Sequence, residues 1–98
     1  MSVNHYSTLK LQVENHPGTM SHICGLFSRR AFNVEGILCI PSERDGTSII
    51  LIQVTQSVSL EQVIRQLRKL EDVISVEISE KMNGFFINLS RSILSDIR

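Results

Sequence analysis

The chain has 98 residues, 42% of them hydrophobic, which suits one compact domain burying roughly 65% of its extended-chain surface and leaves no room for a second. Its 10 basic and 10 acidic residues cancel to zero net charge, so it lacks the positive field that nonspecific nucleic-acid binding or adsorption to an anionic membrane requires. Neither nucleic acid nor membrane is an expected partner; proteins and small molecules are.

The opening Met1-Ser2-Val3-Asn4-His5-Tyr6 has no basic segment followed by an apolar one, and no later run is long enough to span a bilayer. A cytoplasmic location is the expectation. Ser7 to Glu14 then alternates, with Leu9, Leu11 and Val13 on one face and Lys10, Gln12 and Glu14 on the other, which predicts a half-buried strand. The turn-forming cluster Asn15-His16-Pro17-Gly18 ends it. Pro17 suits a first helical position and Gly18 leaves backbone amides accessible, so a helix is expected to begin there.

Ile23, Cys24, Phe27 and Ala31 then recur along one stripe of a 3.6-residue period, which predicts a helix packed on a sheet. Val34 to Ile40, ended by Pro41, and Ser48 to Val54 read as two strands joined through the Asp45-Gly46 turn signal, the second apolar on both faces as befits an inner strand. Ser59-Leu60-Glu61-Gln62 has capping-box spacing, with Val58 and Val63 placed as a hydrophobic staple. A second amphipathic stripe follows at Leu60, Val63, Ile64 and Leu67. Ile74, Val76 and Ile78 alternate with Ser75 and Glu77 in a last strand. Cys24 and Cys39 lie in apolar surroundings without a paired-cysteine metal motif, so both are expected to be buried free thiols.

The order βαββαβ predicts an α+β, ferredoxin-like fold: a four-stranded antiparallel sheet with both helices on one face. Residues 1–6 read as an N-terminal extension, 7–80 as the domain and 81–98 as a tail. In that tail Phe86, Leu89, Ile93 and Ile97 have approximate helical spacing, so it either forms a helix against the open sheet face or a partner, or frays.

Many functions use this topology, so residues must choose among them. An RNA reader needs exposed aromatics on the central strands, and the first and third strands carry none. A metal carrier would place cysteines in the first loop, where there are none, and His16 and His22 have no carboxylate or thiol companion in the sequence around them. A phosphate-hydrolysing enzyme of this topology would need an arginine in that loop. Arg29 and Arg30 instead close the first helix, where cations suit its dipole. No catalytic residues and no metal ligands are assigned.

Glu14-Asn15-His16-Pro17-Gly18, followed by Gly25-Leu26-Phe27-Ser28-Arg29-Arg30-Ala31-Phe32-Asn33-Val34-Glu35-Gly36, resembles the diagnostic stretch of the regulatory (small) subunits of acetohydroxyacid synthases, also called acetolactate synthases, which are ACT-domain proteins. The likeness extends less sharply through Lys69-Leu70-Glu71-Asp72-Val73 and covers most of residues 8–78. The chain is similar to the short form, without the additional C-terminal domain of longer members. The resemblance implies an ACT domain that is not itself an enzyme. It implies binding of a branched-chain amino acid, usually valine, with activation and feedback inhibition of a separate catalytic subunit in branched-chain amino acid biosynthesis. It further implies no cofactor on this chain, and thiamine diphosphate, magnesium and FAD on the catalytic partner; a homodimer is expected because an edge strand from Val34 to Ile40 would expose backbone groups and aliphatic side chains that a two-fold partner could cover. The effector residues that it carries over are Asn15, His16, Pro17, Gly18, Thr19, Met20, Asn33 and Val34, the last two commonly reaching the site across a two-fold interface. Loop physics agrees, since first-turn amides and the positive end of a helix suit a ligand carboxylate. The alternative is a stand-alone amino-acid-binding ACT regulator of another protein.

Overall fold

The computed structural model describes residues 6–30, 32–55 and 59–97. Strand β1 (Tyr6–Glu14) leads into helix α1 (Thr19–Arg29), the hairpin of β2 (Val34–Pro41) and β3 (Thr47–Thr55), helix α2 (Leu60–Arg68) and strand β4 (Val73–Ile78). A 3₁₀ turn (Glu80–Met82) and a third helix, α3 (Asn83–Ile97), follow. The sheet order is β2-β3-β1-β4 with every pairing antiparallel. This is the expected ferredoxin-like fold, with α1 and α2 on one face.

Period-two alternation in β1 and β3 builds the core. Leu9, Leu11 and Val13 register with Ile52, Ile50 and Ser48, so one sheet face presents a continuous aliphatic layer. Onto it α1 brings Ile23, Leu26 and Phe27, α2 brings Val63 and Leu67, and β4 brings Val76. Each fully buried aliphatic side chain here stabilises the fold by roughly 1.5–3 kcal/mol. The Ser59 hydroxyl accepts from the Gln62 amide at 3.4 Å, which caps α2 as its sequence requires. Ala31 and Val58, read above into the first stripe and the staple, lie outside the described residues.

Both cysteines are exposed free thiols, not buried ones. The inward face of α1 is Thr19, Ile23, Leu26 and Phe27, which turns Cys24 onto the flank of the helix. Cys39 is on β2, an outer strand along which burial falls off, with Ile37 39% and Ile40 46% exposed.

Each outer strand also carries a bulge. On β2, Val34 pairs with Val54 and Gly36 with Gln53, so Glu35 has no opposite number. On β4, Val73 pairs with Val13 and Ser75 with Gln12, so Ile74 is the extra residue. That bulge turns Ile74 outward although it alternates with Val76 in the sequence; Ile78 shares the face of the buried Val76 but stands exposed at the end of the strand.

The tail is helical. Its start is pinned to β1, where Thr8 Oγ1 donates to Asn83 Oδ1 at 2.6 Å, Asn83 Nδ2 donates to the Tyr6 carbonyl at 3.3 Å, and the Ser79 amide donates to the Thr8 carbonyl at 2.8 Å. Phe86 then packs on the sheet face opposite α1 and α2. A Cβ at Gly36 would lie 3.0 Å from its ring, so the absent side chain on β2 is what admits the ring. Beyond Phe86 the helix loses the sheet, and Ile93, Leu94 and Ile97 are 50%, 57% and 74% exposed. Gly36→Ala is therefore expected to shift the Phe86 ring by a few tenths of an ångström and cost about 1–3 kcal/mol. Denaturant unfolding measures it, and combining Gly36→Ala with Phe86→Leu should recover part of the loss.

Candidate effector site

The chain between Glu14 and Thr19 is held from three sides. The Glu14 amide donates to the Asp72 carbonyl at the entry to β4, and the Asn15 amide donates to Gly46 O in the β2–β3 turn, both at 2.8 Å. Thr19 Oγ1 donates to the Glu14 carbonyl at 2.9 Å and accepts from the His16 amide at 3.3 Å, closing the loop on itself. Pro17 does not take the first helical position. Gly18 adopts a left-handed conformation, φ +92°, and α1 begins only at Thr19, so Pro17 and Gly18 form the turn ahead of the helix.

No side chain caps α1. The Thr19 amide is taken by the His16 carbonyl at 3.1 Å, and the amides of Met20 and Ser21 have no acceptor among the described residues. They sit at the positive end of the helix dipole beside a cavity of about 170 Å³. Asn15, His16, Gly18, Thr19, Met20 and Ser21 line it from the loop and first turn, and Val13, Cys39, Ser48 and Ile50 line it from the sheet. One end is thus polar and the other aliphatic. The Asn15 side chain, exposed at the rim, makes no hydrogen bond among the described residues.

Five of the eight residues carried over by resemblance therefore share one cavity: Asn15, His16, Gly18, Thr19 and Met20. Pro17 shapes the loop without lining the cavity. Asn33 and Val34 lie elsewhere in the same chain. The Asn33 side chain donates from Nδ2 to Glu35 Oε1 at 2.7 Å, and Val34 borders a separate apolar hollow with Ile23, Cys24, Phe27, Phe32 and Ile37.

Sequence reading missed a carboxylate. Asp72, itself only 6% exposed, places Oδ2 2.6 Å from His22 Nδ1 and Oδ1 3.2 Å from His16 Nδ1. A carboxylate only accepts hydrogen bonds, so each imidazole donates from Nδ1. Asp72 thus ties the loop (His16) and the first turn of α1 (His22) to the start of β4. The two histidines do have a carboxylate companion, but it arrives from fifty or more positions downstream. Among the described residues, no group of three or more His, Cys, Asp or Glu side chains is placed to hold a metal ion.

Residues 9–75 match the family described as the AHAS small subunit-like ACT domain. The chain belongs to this family. It is 56% identical over 69 residues to the acetolactate synthase isozyme 1 small subunit of Escherichia coli K12, covering 70% of this chain and 72% of that one. It is 44% identical over 75 residues to the probable acetolactate synthase small subunit of Archaeoglobus fulgidus, covering 74% and 47%. Among solved structures, the acetolactate synthase small subunit from Thermotoga maritima superposes with a TM-score of 0.69 at 32% identity, over 74% of this chain and 46% of that one. The chain therefore spans about half the length of the latter two.

For this ACT domain of the small-subunit family, two glycines of the family-like stretch now have physical roles. Gly18 supplies the left-handed turn that aims α1 at the cavity, and Gly36 admits Phe86. Asp72→Ala is expected to remove the acceptor shared by His16 and His22. Because both imidazoles are more than half exposed, the loss is about 1–2 kcal/mol, below that of a buried charged hydrogen bond. In a domain this small that lowers the melting temperature by roughly 5–10 °C, read by circular dichroism.

Proposed function

We propose that this ACT domain is the regulatory, non-catalytic subunit of an acetolactate synthase, binding a branched-chain amino acid, with valine the first candidate, at the Asn15–Met20 loop. The observation that carries the reading is the cavity: unpartnered helix-start amides at one end, aliphatic walls at the other, within a chain of the small-subunit family. The ligand carboxylate takes the Met20 and Ser21 amides at the dipole's positive end, the Asn15 carbonyl oxygen accepts from the ammonium group, and the aliphatic side chain lies towards Ile50 and Cys39. A dissociation constant of about 0.1–1 mM needs only about 4–5.5 kcal/mol, within reach of those contacts.

The open edge of β2 supports a two-fold homodimer. Its exposed aliphatics and the hollow at Val34 and Ile37 offer a surface that a second copy covers by extending the sheet. Asn33 of a second copy then approaches the loop that Asn33 of the same chain does not reach. Ligand bound between protomers favours one relative arrangement, and a coupling of about 1–3 kcal/mol to the catalytic subunit suffices for strong inhibition. The chemistry itself belongs to that catalytic subunit with its thiamine diphosphate, magnesium and FAD. No helix among the described residues is long and apolar enough to cross a membrane, and a cytoplasmic location fits a biosynthetic partner.

The test is acetolactate formation by the catalytic subunit, with and without this chain, across a valine titration. Activation that valine reverses supports the reading; no association and no effect favour a stand-alone amino-acid-binding regulator. Gly18→Asp is expected to abolish the valine response, because its carboxylate sits where the ligand's does. Holding a non-glycine residue at φ +92° also costs on the order of 1–3 kcal/mol, so the variant's melting curve is recorded alongside. A wild-type valine response from a folded Gly18→Asp would place the site elsewhere.

A further inference from the structure

Resting on the effector reading above, we propose that Cys39 determines which aliphatic amino acid the cavity accepts. Val13, Ser48, Ile50 and Cys39 wall the cavity from the sheet and Met20 from the helix. Val13 and Ile50 are fully buried in the core, fixed between the sheet and the helices, so their positions are set by folding and not by the ligand. Met20 is half-buried against that core and, being unbranched, adapts to what it touches. Ser48 is likewise buried in β3, which leaves Cys39, and nothing in the domain's own packing accounts for it. It is exposed, it forms no disulfide, and it is the one small side chain in the run Ile37-Leu38-Cys39-Ile40.

The register explains why this position counts. Cys39 pairs with Ile50 and Ile37 with Ile52, which places Cys39 on the α1 face of the sheet, where the cavity opens, while Leu38 and Ile40 face the other way. Any larger residue at 39 takes volume directly from the cavity. That cavity is about 170 Å³. That is the scale of a small amino acid with a short branched side chain. The thiol is smaller than its neighbours by the volume that such a branch needs.

Two substitutions test this in the full chain, with binding of alanine, valine and leucine measured by calorimetry. Cys39→Ile, a residue suited to a strand, is expected to weaken valine at least tenfold while alanine stays within about twofold. Cys39→Ala is expected to raise the affinity for leucine relative to valine about fivefold or more. Because residue 39 is exposed, both variants should melt close to wild type, which a thermal scan verifies. If wild type binds valine and both folded variants keep its order of preference, the assignment of Cys39 is overturned and the effector reading survives. If wild type binds none of the three amino acids, both fall together.

Discussion

The path of the chain from Glu14 to Thr19 is the constraint on which the rest of the structure depends. Four residues, Asn15 to Gly18, must leave a central strand, reverse, and start a helix that returns across the same strand. They can do so because Gly18 reaches a φ that other residues rarely adopt and because main-chain bonds to Asp72 and Gly46 anchor the exit of β1 to two separate turns. The same geometry leaves the start of α1 uncapped, so the amides that face the cavity are those the fold does not consume. A serine or aspartate cap at position 18 would satisfy the helix internally and remove a donor from the cavity.

Asp72 extends this economy across the domain. Its carbonyl holds β1 and its carboxylate holds both histidines, so one residue at the mouth of β4 positions the loop, the first helical turn and the strand that precedes them. A ligand drawing on the loop amides therefore acts on a segment already tied to α2 and β4 through one short connection. That is a physical route by which occupancy could be felt on the far side of the sheet from β2.

The sequence made the larger architecture legible because its signals are local. Alternation in β1, the double-faced β3, the Ser59 cap and the stripes of both helices each depend on residues a few positions apart. What it hid was of three kinds. Contacts between distant segments, such as His22 with Asp72, leave no periodic trace. Bulges at Glu35 and Ile74 shift the parity of a strand without a marker residue, so the outward turn of Ile74 and the inward turn of Cys39 could not be read by counting from the strand's start. Cys24 failed for a third reason: an eleven-residue helix over a narrow sheet buries only one stripe, and Leu26 won the place beside Phe27. At the candidate site the loop residues were legible through resemblance, whereas the sheet residues that complete the cavity required the register.

The two bulges carry a consequence for assembly. A four-stranded sheet with two open edges is a unit that can in principle add copies at both ends without limit, as fibres do. Here each edge has its ladder interrupted, near the start of β2 and near the start of β4, so neither offers a long uninterrupted template. On β2 the regular stretch that remains runs only from Gly36 to Pro41 and ends in a residue with no amide hydrogen to donate. Pairing along it is confined to a short segment that two copies can share and then exhaust, which favours closed assemblies over open-ended ones.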